Sequence, residues 1–376
     1  MIDGLLSLST LLAAVAWLGL LAVPWRPWSV RERLEADPTR AEERLDDVVA
    51  LVPARDEAAT LPATLDGLAA QGPGLAVVVV DDQSADGTAE VARASDLPDL
   101  HVVAGAPLPA GWSGKVWAQH QGLHHANREL VLLLDADITL APGTVATLRA
   151  ALRERGLGMI SLMARLAMDG RWERLTLPAF VYFFKLLYPF ALVARPSSRV
   201  AAAAGGCVLV RRDVLLDAGG FEALRDALID DCTLARLVKR RGHSVWLGLT
   251  SSVVSRRRYL ALGEVWRMVA RTAYTQLRYS PLALIGCTVA MLVVLVAPLL
   301  SLVVPSSPLA VVAAAVALLA CALGYRPLLR YYGLAPWRAA TLPIAGVLFL
   351  LMTWDSALRY HRGERSAWRG RRYGRE

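Results

Sequence analysis

Two long stretches of the chain contain no charged residue, one near each end. Residues 4–25 and 279–325 lack Asp, Glu, Lys and Arg. An α-helix rises about 1.5 Å per residue, so about 20 apolar residues cross the roughly 30 Å hydrocarbon layer of a membrane. The first stretch therefore predicts one membrane-spanning helix, 5–23. The second predicts two, 282–304 and 308–324, because a Pro-Ser-Ser-Pro turn interrupts it.

A fourth apolar stretch, 339–354, is only sixteen residues long and contains Pro343. A full crossing here would also export the basic residues that follow, against the preference for arginine on the cytoplasmic side. We therefore expect a re-entrant or interfacial segment.

Between the membrane stretches, short apolar runs alternate with segments of helical length. The runs 48–52, 76–80 and 130–134 each end in proline or acidic residues. Fully apolar strands separated by helices are typical of a parallel sheet covered on both faces, which binds ligands beyond the carboxyl ends of its strands. The chain therefore predicts an α/β domain with a Rossmann-like, mostly parallel sheet. Its first helices are expected over 58–71, 86–94 and 114–128.

These patterns divide the chain into six parts. The juxtamembrane segment 26–47 lacks a deep apolar stripe, so it is expected to be an irregular linker or a surface helix. The parts are an N-terminal transmembrane anchor (1–25), the juxtamembrane linker (26–47), the α/β domain (48–250), an interfacial helix region (251–281), a C-terminal membrane region (282–354) and a basic cytoplasmic tail (355–376).

Charge indicates the orientation. The net charge is +8, and three arginines within 26–33 place that side of the first span in the cytoplasm. Asp3 precedes the span without a basic residue, which favours an uncleaved anchor over a signal peptide. Arginine clusters such as 256–258 are expected to bind anionic head groups. No nucleic-acid-binding motif accompanies them, so we expect a multi-pass protein of the cytoplasmic (inner) membrane that binds no nucleic acid.

Acidic residues follow two of the predicted strands. Asp135-Ala136-Asp137 comes directly after 130–134, and Asp81-Asp82 ends the preceding apolar run. Paired carboxylates suit Mg²⁺ or Mn²⁺, which binds one or two of them together with phosphate oxygens. Aspartate is also common at strand ends as a turn or helix-cap residue. The residues alone leave both interpretations open.

Six motifs in sequence order resemble those of glycosyltransferase family 2, which has the GT-A fold. The resemblance covers residues 48–250. The motifs are Val52-Pro53-Ala54-Arg55-Asp56-Glu57, the segment 80–88, Gly114-Lys115 with Ala118, Leu134-Asp135-Ala136-Asp137, the segment 205–212 followed by Gly219-Gly220-Phe221, and the segment 230–235.

Within that family, the segment 111–118, the membrane segments at both ends and the closing 368–371 are similar to the hopene-associated subgroup, and also to carotenoid and ceramide glycosyltransferases. The resemblance implies inverting, metal-dependent transfer from a nucleotide-sugar donor, with a UDP-sugar expected, to a membrane lipid. A hopanoid or a related terpenoid or sphingolipid-like lipid would be the acceptor. Alternatives are a polyprenyl-phosphate sugar synthase and an inactive sugar-nucleotide-binding membrane protein.

The resemblance also implies roles for individual residues. Asp231 is the expected catalytic base, although acids at 230–231 could equally complement a helix N-terminus. Asp137 is the expected ligand of Mg²⁺ or Mn²⁺, with Asp135 on the metal, its water or the ribose. The donor-binding residues that it implies are Asp82 (uracil), Glu57 (ribose), Lys115 (uracil or phosphate), Pro53, Arg55, Asp135, Gly205, Gly206 and Asp230.

The chain departs from the family after the base, where Gln or Arg, two residues and Arg-Trp usually follow. Residues 267–279 do not reproduce this pattern, which makes processive polysaccharide synthesis less favoured. Arg267, Arg271 and Arg278 are provisional phosphate clamps.

Residues 180–190 are unusually aromatic, with six aromatic side chains in eleven. Aromatic residues flanked by basic ones are typical of a membrane headgroup boundary. This pattern predicts an acceptor gate at Phe183, Phe184 and Phe190. A buried core helix is the alternative.

Overall fold

Strands form where the apolar runs predict them. A computed structural model describes residues 2–305, 307–368 and 371–374. The strands are β1 (Val48–Ala54), β2 (Ala76–Asp81), β3 (Leu100–Ala104), β4 (Leu130–Leu134), β5 (Ile138–Leu140), β6 (Met159–Arg165), β7 (Cys207–Arg211), β8 (Val245–Ser255), β9 (Glu364–Trp368) and β10 (Arg371–Gly374).

The α-helices frame this sheet and extend from it. They are α1 (Ile2–Ala22), α2 (Leu61–Ala69), α3 (Thr88–Arg93), α4 (Gly114–Leu123), α5 (Thr144–Glu154), α6 (Arg171–Leu187), α7 (Phe190–Val193), α8 (Arg212–Asp217), α9 (Asp230–Arg240), α10 (Leu262–Ala270), α11 (Ala273–Gln276), α12 (Pro281–Met291), α13 (Ala297–Val303), α14 (Pro308–Tyr331) and α15 (Leu342–His361). A π-helical turn, Leu292–Val296, joins α12 to α13.

Eight strands form one sheet in the order β3-β2-β1-β4-β7-β6-β8-β5. The first four are parallel, as are β6 and β8. β7 is antiparallel to both of its neighbours, and β5 is antiparallel to β8. The predicted α/β sheet is confirmed, with a mixed second half. Because β1 has β2 on one side and β4 on the other, a crevice opens at the carboxyl ends of these strands.

β1 and β4 separate before that crevice. Their register ends at Leu51↔Leu133, whereas β1 continues to pair with β2 as far as Ala54↔Asp81. Pro53 lies in the part of β1 beyond its last pair with β4, where a missing N–H costs no ladder bond toward β4. Pairing between β1 and β4 therefore ends at Pro53's side of the sheet, where the crevice begins.

Alternating side chains of β1 enter two different cores. Val48, Ala50 and Val52 pack with α2 and α5 on one face of the sheet. Val49 and Leu51 belong to a second core that includes α4, α6, α9 and residues of α1, α14 and α15. The catalytic domain and the apolar terminal helices therefore share one continuous core.

Among the described residues, four helical segments are long and apolar enough to cross a membrane: Asp3–Ala22, Pro281–Val303, Pro308–Tyr331 and Pro336–His361. The first three coincide with the predicted spans. The short length expected for the fourth was wrong, because the helix continues past Asp355, whose carboxylate accepts from Trp266 (2.7 Å) and Arg359 (2.9 Å).

α15 contacts the catalytic side of the molecule at several points along its length. Its Phe349 ring stacks on Phe180 of α6, with centroids 6.4 Å apart. Near its end, the Ser356 hydroxyl accepts from the backbone N–H of Tyr274 in α11 (3.1 Å). The preceding helix, α14, ends where the Tyr331 hydroxyl donates to a carbonyl of β8. Contacts with the catalytic side of the molecule therefore lie both just before α15 and near its end.

The segments on either side of the domain are only partly helical. Linker 26–47 is irregular apart from one turn, Pro38–Arg40, and joins β8 through a bridge between Arg33 and Leu249. The region 251–281 begins as a strand, because β8 continues to Ser255 before α10 and α11. The length of β8 brings residues that follow it to the site.

Candidate active site

Two loops at the carboxyl ends of β1 and β2 are fastened together by side-chain hydrogen bonds. The N–H of Asp56 donates to the Ser84 hydroxyl (3.0 Å), and the Asp56 carboxylate accepts from the N–H of Ala85 (2.9 Å). The Asp86 carboxylate accepts from the N–H of Ala58 (3.0 Å). Asp56 has a left-handed φ of 51°, which Asp tolerates better than most residues. The loops form a fixed wall of the crevice.

Asp82 is fully buried in this wall. The Arg55 guanidinium lies 3.7 Å from its carboxylate and donates to the carbonyl oxygens of Asp82 and Gln83. Glu57 lies two residues from Arg55, and its carboxylate accepts from the Thr60 hydroxyl (2.7 Å). The three polar residues predicted for nucleoside binding therefore occupy one end of the crevice.

Lys115, near the start of α4, lies among the carboxylates at the other end. Its ammonium is 2.7 Å from Asp135 and 3.5 Å from Asp230. Burial lowers the pKa of Lys115, but the charges of Asp135, Asp230 and Asp231 outweigh burial and raise that pKa above its ordinary value. The lysine stays protonated and joins the strand-end aspartates to those of α9.

Asp137 is the less engaged carboxylate of the Asp135-Ala136-Asp137 motif. It forms no ion pair with any described residue. Burial, and then the charge of Asp135, raise its pKa to about 6, against the opposing charges of Arg257 and Lys115. Asp137 is therefore the carboxylate most available to a cation.

The residues present fit a divalent cation that also needs substrate ligands. The described residues contain no cluster of three His, Cys, Asp or Glu side chains able to hold a metal alone. Mg²⁺ and Mn²⁺ commonly take one or two carboxylates, with phosphates and water completing the shell. Asp137, with Asp135 two residues away, supplies that smaller set.

Asp231 lies in the first turn of α9, with both oxygens held by backbone groups. Oδ2 accepts from the N–H of Gly205 (2.7 Å), and Oδ1 accepts from the N–H of Cys232 (2.6 Å). Burial, and then the neighbouring charge of Asp230, raise the pKa of Asp231 to about 6, although Lys115 opposes them. A positioned carboxylate with this pKa suits a general base near neutral pH.

Gly205 and Gly206 are required by close packing. A Cβ at Gly205 would lie 3.1 Å from Oδ2 of Asp231 and 3.3 Å from Nζ of Lys115. One at Gly206 would lie 3.1 Å from the Ile138 side chain. The N–H of Asp135 donates to the carbonyl of Gly206 (3.1 Å), so this loop joins the metal motif to the base.

A small cavity of about 10 Å³ lies behind the base, lined in part by Gln119, Asp230 and Asp231. That volume is close to the minimum for a single water molecule. The cavity is too small for a sugar.

The three predicted phosphate clamps lie in α10 and in the segments between α10 and α12. Arg267 and Arg278 are exposed, and neither is among the charges that shift the pKa of Asp137 or Asp231 most. Arg271 lies nearer, because its charge acts on Tyr259, whose pKa is raised by burial. Sequence analysis missed Arg257, which acts directly on Asp137. The signal that could have identified it was the arginine run 256–258 after a long apolar strand. The sequence analysis assigned those arginines to lipid head groups.

The predicted acceptor gate falls on α6 and α7. Phe183 and Phe184 are partly exposed, whereas Phe190 is only 1% exposed and covers the Lys185 ammonium at 3.8 Å from its ring centroid. Including Phe190 in the gate was wrong, because its apolar ring is a core contact that shields a buried cation.

Solved structures and curated proteins resemble this chain to different extents. A mannosyltransferase from Pyrobaculum calidifontis, in complex with GDP-Man and Mn²⁺, matches 94% of this chain and 99% of its own, with a TM-score of 0.54 and 22% identity. The 4,4'-diaponeurosporenoate glycosyltransferase of Staphylococcus haemolyticus (strain JCSC1435) is 28% identical over 157 residues. That match covers 41% of this chain, and the chain spans only 41% of the relative's length.

The sequence profile of Glycosyltransferase like family 2 matches residues 46–275. This range includes β1 to β8, the loops at the crevice and the aspartates around Lys115. The sheet and its structural neighbour are those of the GT-A fold, as the motifs predicted. Because the profile covers more than half of the chain, the chain belongs to glycosyltransferase-like family 2.

Proposed function

We propose that this chain is an inverting, metal-dependent glycosyltransferase that moves a sugar from a nucleoside diphosphate sugar to a hydroxyl group of a membrane lipid. A UDP-sugar is the proposed donor, and a hopanoid or a related terpenoid or sphingolipid-like lipid is the proposed acceptor. The observation that carries this proposal is the arrangement of carboxylates around Lys115. Asp231 is partly buried and is held by backbone N–H groups in position to take a proton, while Asp137 makes no ion pair with the described residues and can accept a cation.

The proposed reaction is a single displacement at the anomeric carbon. The acceptor oxygen forms a bond to that carbon as the bond to the β-phosphate oxygen breaks, and the departing oxygen keeps the electron pair. The hydroxyl proton passes to the carboxylate of Asp231. One in-line displacement inverts the anomeric centre, and nucleoside diphosphate is the second product.

The charge of the site supports the need for a cation. Asp135, Asp137, Asp230 and Asp231 contribute up to four negative charges, and Lys115 offsets one of them. A diphosphate would meet strong repulsion here without further positive charge. A divalent cation, held by Asp137 with Asp135 beside it, would supply charge that stabilises the leaving diphosphate.

The names of the similar proteins agree with these ligands. The Pyrobaculum calidifontis enzyme was solved with GDP-Man and Mn²⁺. The Staphylococcus haemolyticus protein is named for 4,4'-diaponeurosporenoate as the group that is glycosylated. The first supports a nucleotide-sugar donor together with a divalent metal, so UDP and GDP donors should be tested side by side.

A lipid acceptor is supported by the way α6 joins the domain to the apolar helices. Tyr182 of α6 packs on Tyr325 of α14, with ring centroids 5.1 Å apart, and Phe183 packs edge-on against Phe349 of α15 at 5.6 Å. Phe184, on the same helix, is partly exposed. A lipid leaving the bilayer along this junction would meet α6 before reaching the carboxylates.

We propose that the catalytic domain faces the cytoplasm and that α15 lies at the membrane interface without crossing. Contacts with the catalytic side lie at both ends of this helix. Tyr331, just before it, donates to a carbonyl of β8, and the N–H of Tyr274 donates to Ser356 near its end. Its C-terminal half runs back along the start of α12, where Trp354 donates to Thr288 (3.0 Å) and the Tyr360 ring stacks on Tyr279 at 4.3 Å. This arrangement returns the basic tail to the catalytic side.

The proposal is tested by incubating the purified full chain in lipid nanodiscs with UDP- or GDP-sugars and Mn²⁺, then analysing the lipid extract by mass spectrometry. A glycosylated neutral lipid, absent with the Asp231→Asn variant, is expected. Transfer to polyprenyl phosphate alone would assign the protein to lipid-phosphate sugar synthesis instead. Nucleotide binding with neither transfer nor donor hydrolysis would make it an inactive sugar-nucleotide-binding protein.

A further inference from the structure

Three consecutive arginines follow β8, and two of them have structural partners. The Arg256 side chain donates to the Thr139 hydroxyl (2.8 Å). Arg258 lies 2.8 Å from Asp169 and 3.5 Å from Glu173. These contacts fasten the segment after β8 to β5 and to the start of α6.

Arg257, between them, makes no ion pair with any described residue. Its side chain is exposed, and its guanidinium lies 5.8 Å from the centre of the Tyr259 ring. An exposed guanidinium without a carboxylate partner remains free to bind an anion. The planar group offers two parallel N–H donors, a geometry that matches a phosphate better than a lysine ammonium does.

The pairing of β5 with β8 places Arg257 beside the metal motif. Ile138 is in register with Ser255, and the N–H of Arg256 donates to the carbonyl of Asp137 (2.7 Å). The charge of Arg257 is felt at both Asp137 and Tyr259. Arg257 is thus held just beyond the end of β8, close enough to Asp137 for its charge to act on that carboxylate and on a diphosphate bound through a cation there.

We infer that Arg257 binds the diphosphate of the sugar donor, in place of Arg267, Arg271 and Arg278. This inference rests on the proposed function, because it assigns one contact within the proposed donor site. The guanidinium neutralises charge on the diphosphate in the bound donor and on the leaving nucleoside diphosphate. The chain therefore supplies its clamp from the segment between β8 and α10, not from α10 and the residues that follow it.

Comparing nucleotides of different phosphate length isolates this contact. UDP and UMP, and GDP and GMP, differ only in the β-phosphate. Calorimetry on the full chain in nanodiscs with Mn²⁺ should show that Arg257→Ala weakens diphosphate binding at least tenfold while binding of the monophosphate changes less than threefold. Arg257→Lys should restore part of the loss, because it retains the charge but not the paired donors.

Arg256→Ala is the matched control, since it removes one exposed positive charge from the neighbouring position. It should leave the ratio of diphosphate to monophosphate affinity within twofold of the wild type. Equal losses in the Arg256 and Arg257 variants, or unchanged diphosphate binding in Arg257→Ala, would overturn the assignment. A wild-type chain that binds none of the four nucleotides would instead refute the proposed donor class.

Discussion

Replacing Asp231 with asparagine tests the proposed base while keeping the size of the side chain. The carboxylate accepts from the N–H groups of Gly205 and Cys232 through its two oxygens. Asparagine has one acceptor oxygen, so one of these N–H groups loses its partner, at a cost of about 1–3 kcal/mol in the free energy of unfolding. We expect a Tm lowered by several degrees in a protein that still folds.

The loss of activity should be much larger than the loss of stability. General base catalysis contributes about 10²- to 10⁴-fold to a rate, so kcat should fall by that factor. In the wild type, burial, Asp230 and the opposing Lys115 set the pKa of Asp231 at about 6. About one tenth of the molecules then carry the ionised base at pH 5 and about nine tenths at pH 7. Because only the ionised form accepts a proton, kcat should rise with pH across this range.

Donor affinity separates this role from that of the metal ligand. Asp137→Ala should abolish transfer by weakening Mn²⁺-dependent donor binding, whereas Asp231→Asn should keep nearly wild-type affinity. The assays are calorimetry with the nucleoside diphosphate and Mn²⁺, and kcat measured from pH 5 to 8. Equal losses of donor affinity in the two variants, or a kcat that does not change between pH 5 and 7, would refute these assignments.

Four further predictions concern the gate, the core, the proposed base and the topology. Serine at Phe183 and Phe184 should impair transfer to lipid but spare slow donor hydrolysis, because each partly exposed ring offers up to about 2 kcal/mol of apolar contact; normal lipid transfer would count against the gate. Phe190→Ser should instead lower the Tm by about five degrees, because the loss of a core aromatic costs about 3–5 kcal/mol and each kcal/mol shifts the Tm of a chain this long by roughly one to two degrees; a Tm within one degree of the wild type would disprove its core role. Gly205→Ala should reduce kcat several-fold with little change in Tm, since a few tenths of an ångström of displacement disturbs the base; an unchanged kcat would show that the neighbours relax freely. A cysteine introduced within 364–374 should resist labelling in intact spheroplasts, and labelling from outside would make α15 a full crossing.

Local patterns in the sequence were sufficient to predict the first half of the sheet and most of the carboxylates. For example, the fully apolar run 130–134 predicts a strand, and the next residue, Asp135, is the carboxylate at the end of that strand. Arg257 could not be identified this way, since its place beside Asp137 depends on β8 pairing with a strand more than one hundred residues earlier.

Burial was harder to predict than element type. Composition marks 180–190 as apolar and aromatic, but only the tertiary contacts separate buried Phe190 from partly exposed Phe183. The length of α15 was underestimated for a related reason. An aspartate inside an apolar helix is tolerated when its charge is paired, and Asp355 pairs with Arg359 one turn later in the same helix and accepts a hydrogen bond from Trp266 of α10.

The core shared by the sheet and the apolar helices has a consequence for biosynthesis. α6 is covered by Tyr325 and Phe349, which the ribosome adds roughly one hundred residues after Asp231. A nascent chain that ends before α14 would expose this face to water, and the two halves cannot mature as separate modules. Soluble truncations of the catalytic domain should aggregate, and assembly of the active site should be coupled to insertion of the C-terminal helices. If the proposed function is correct, an enzyme built this way becomes competent only after it has reached the bilayer that holds its acceptor.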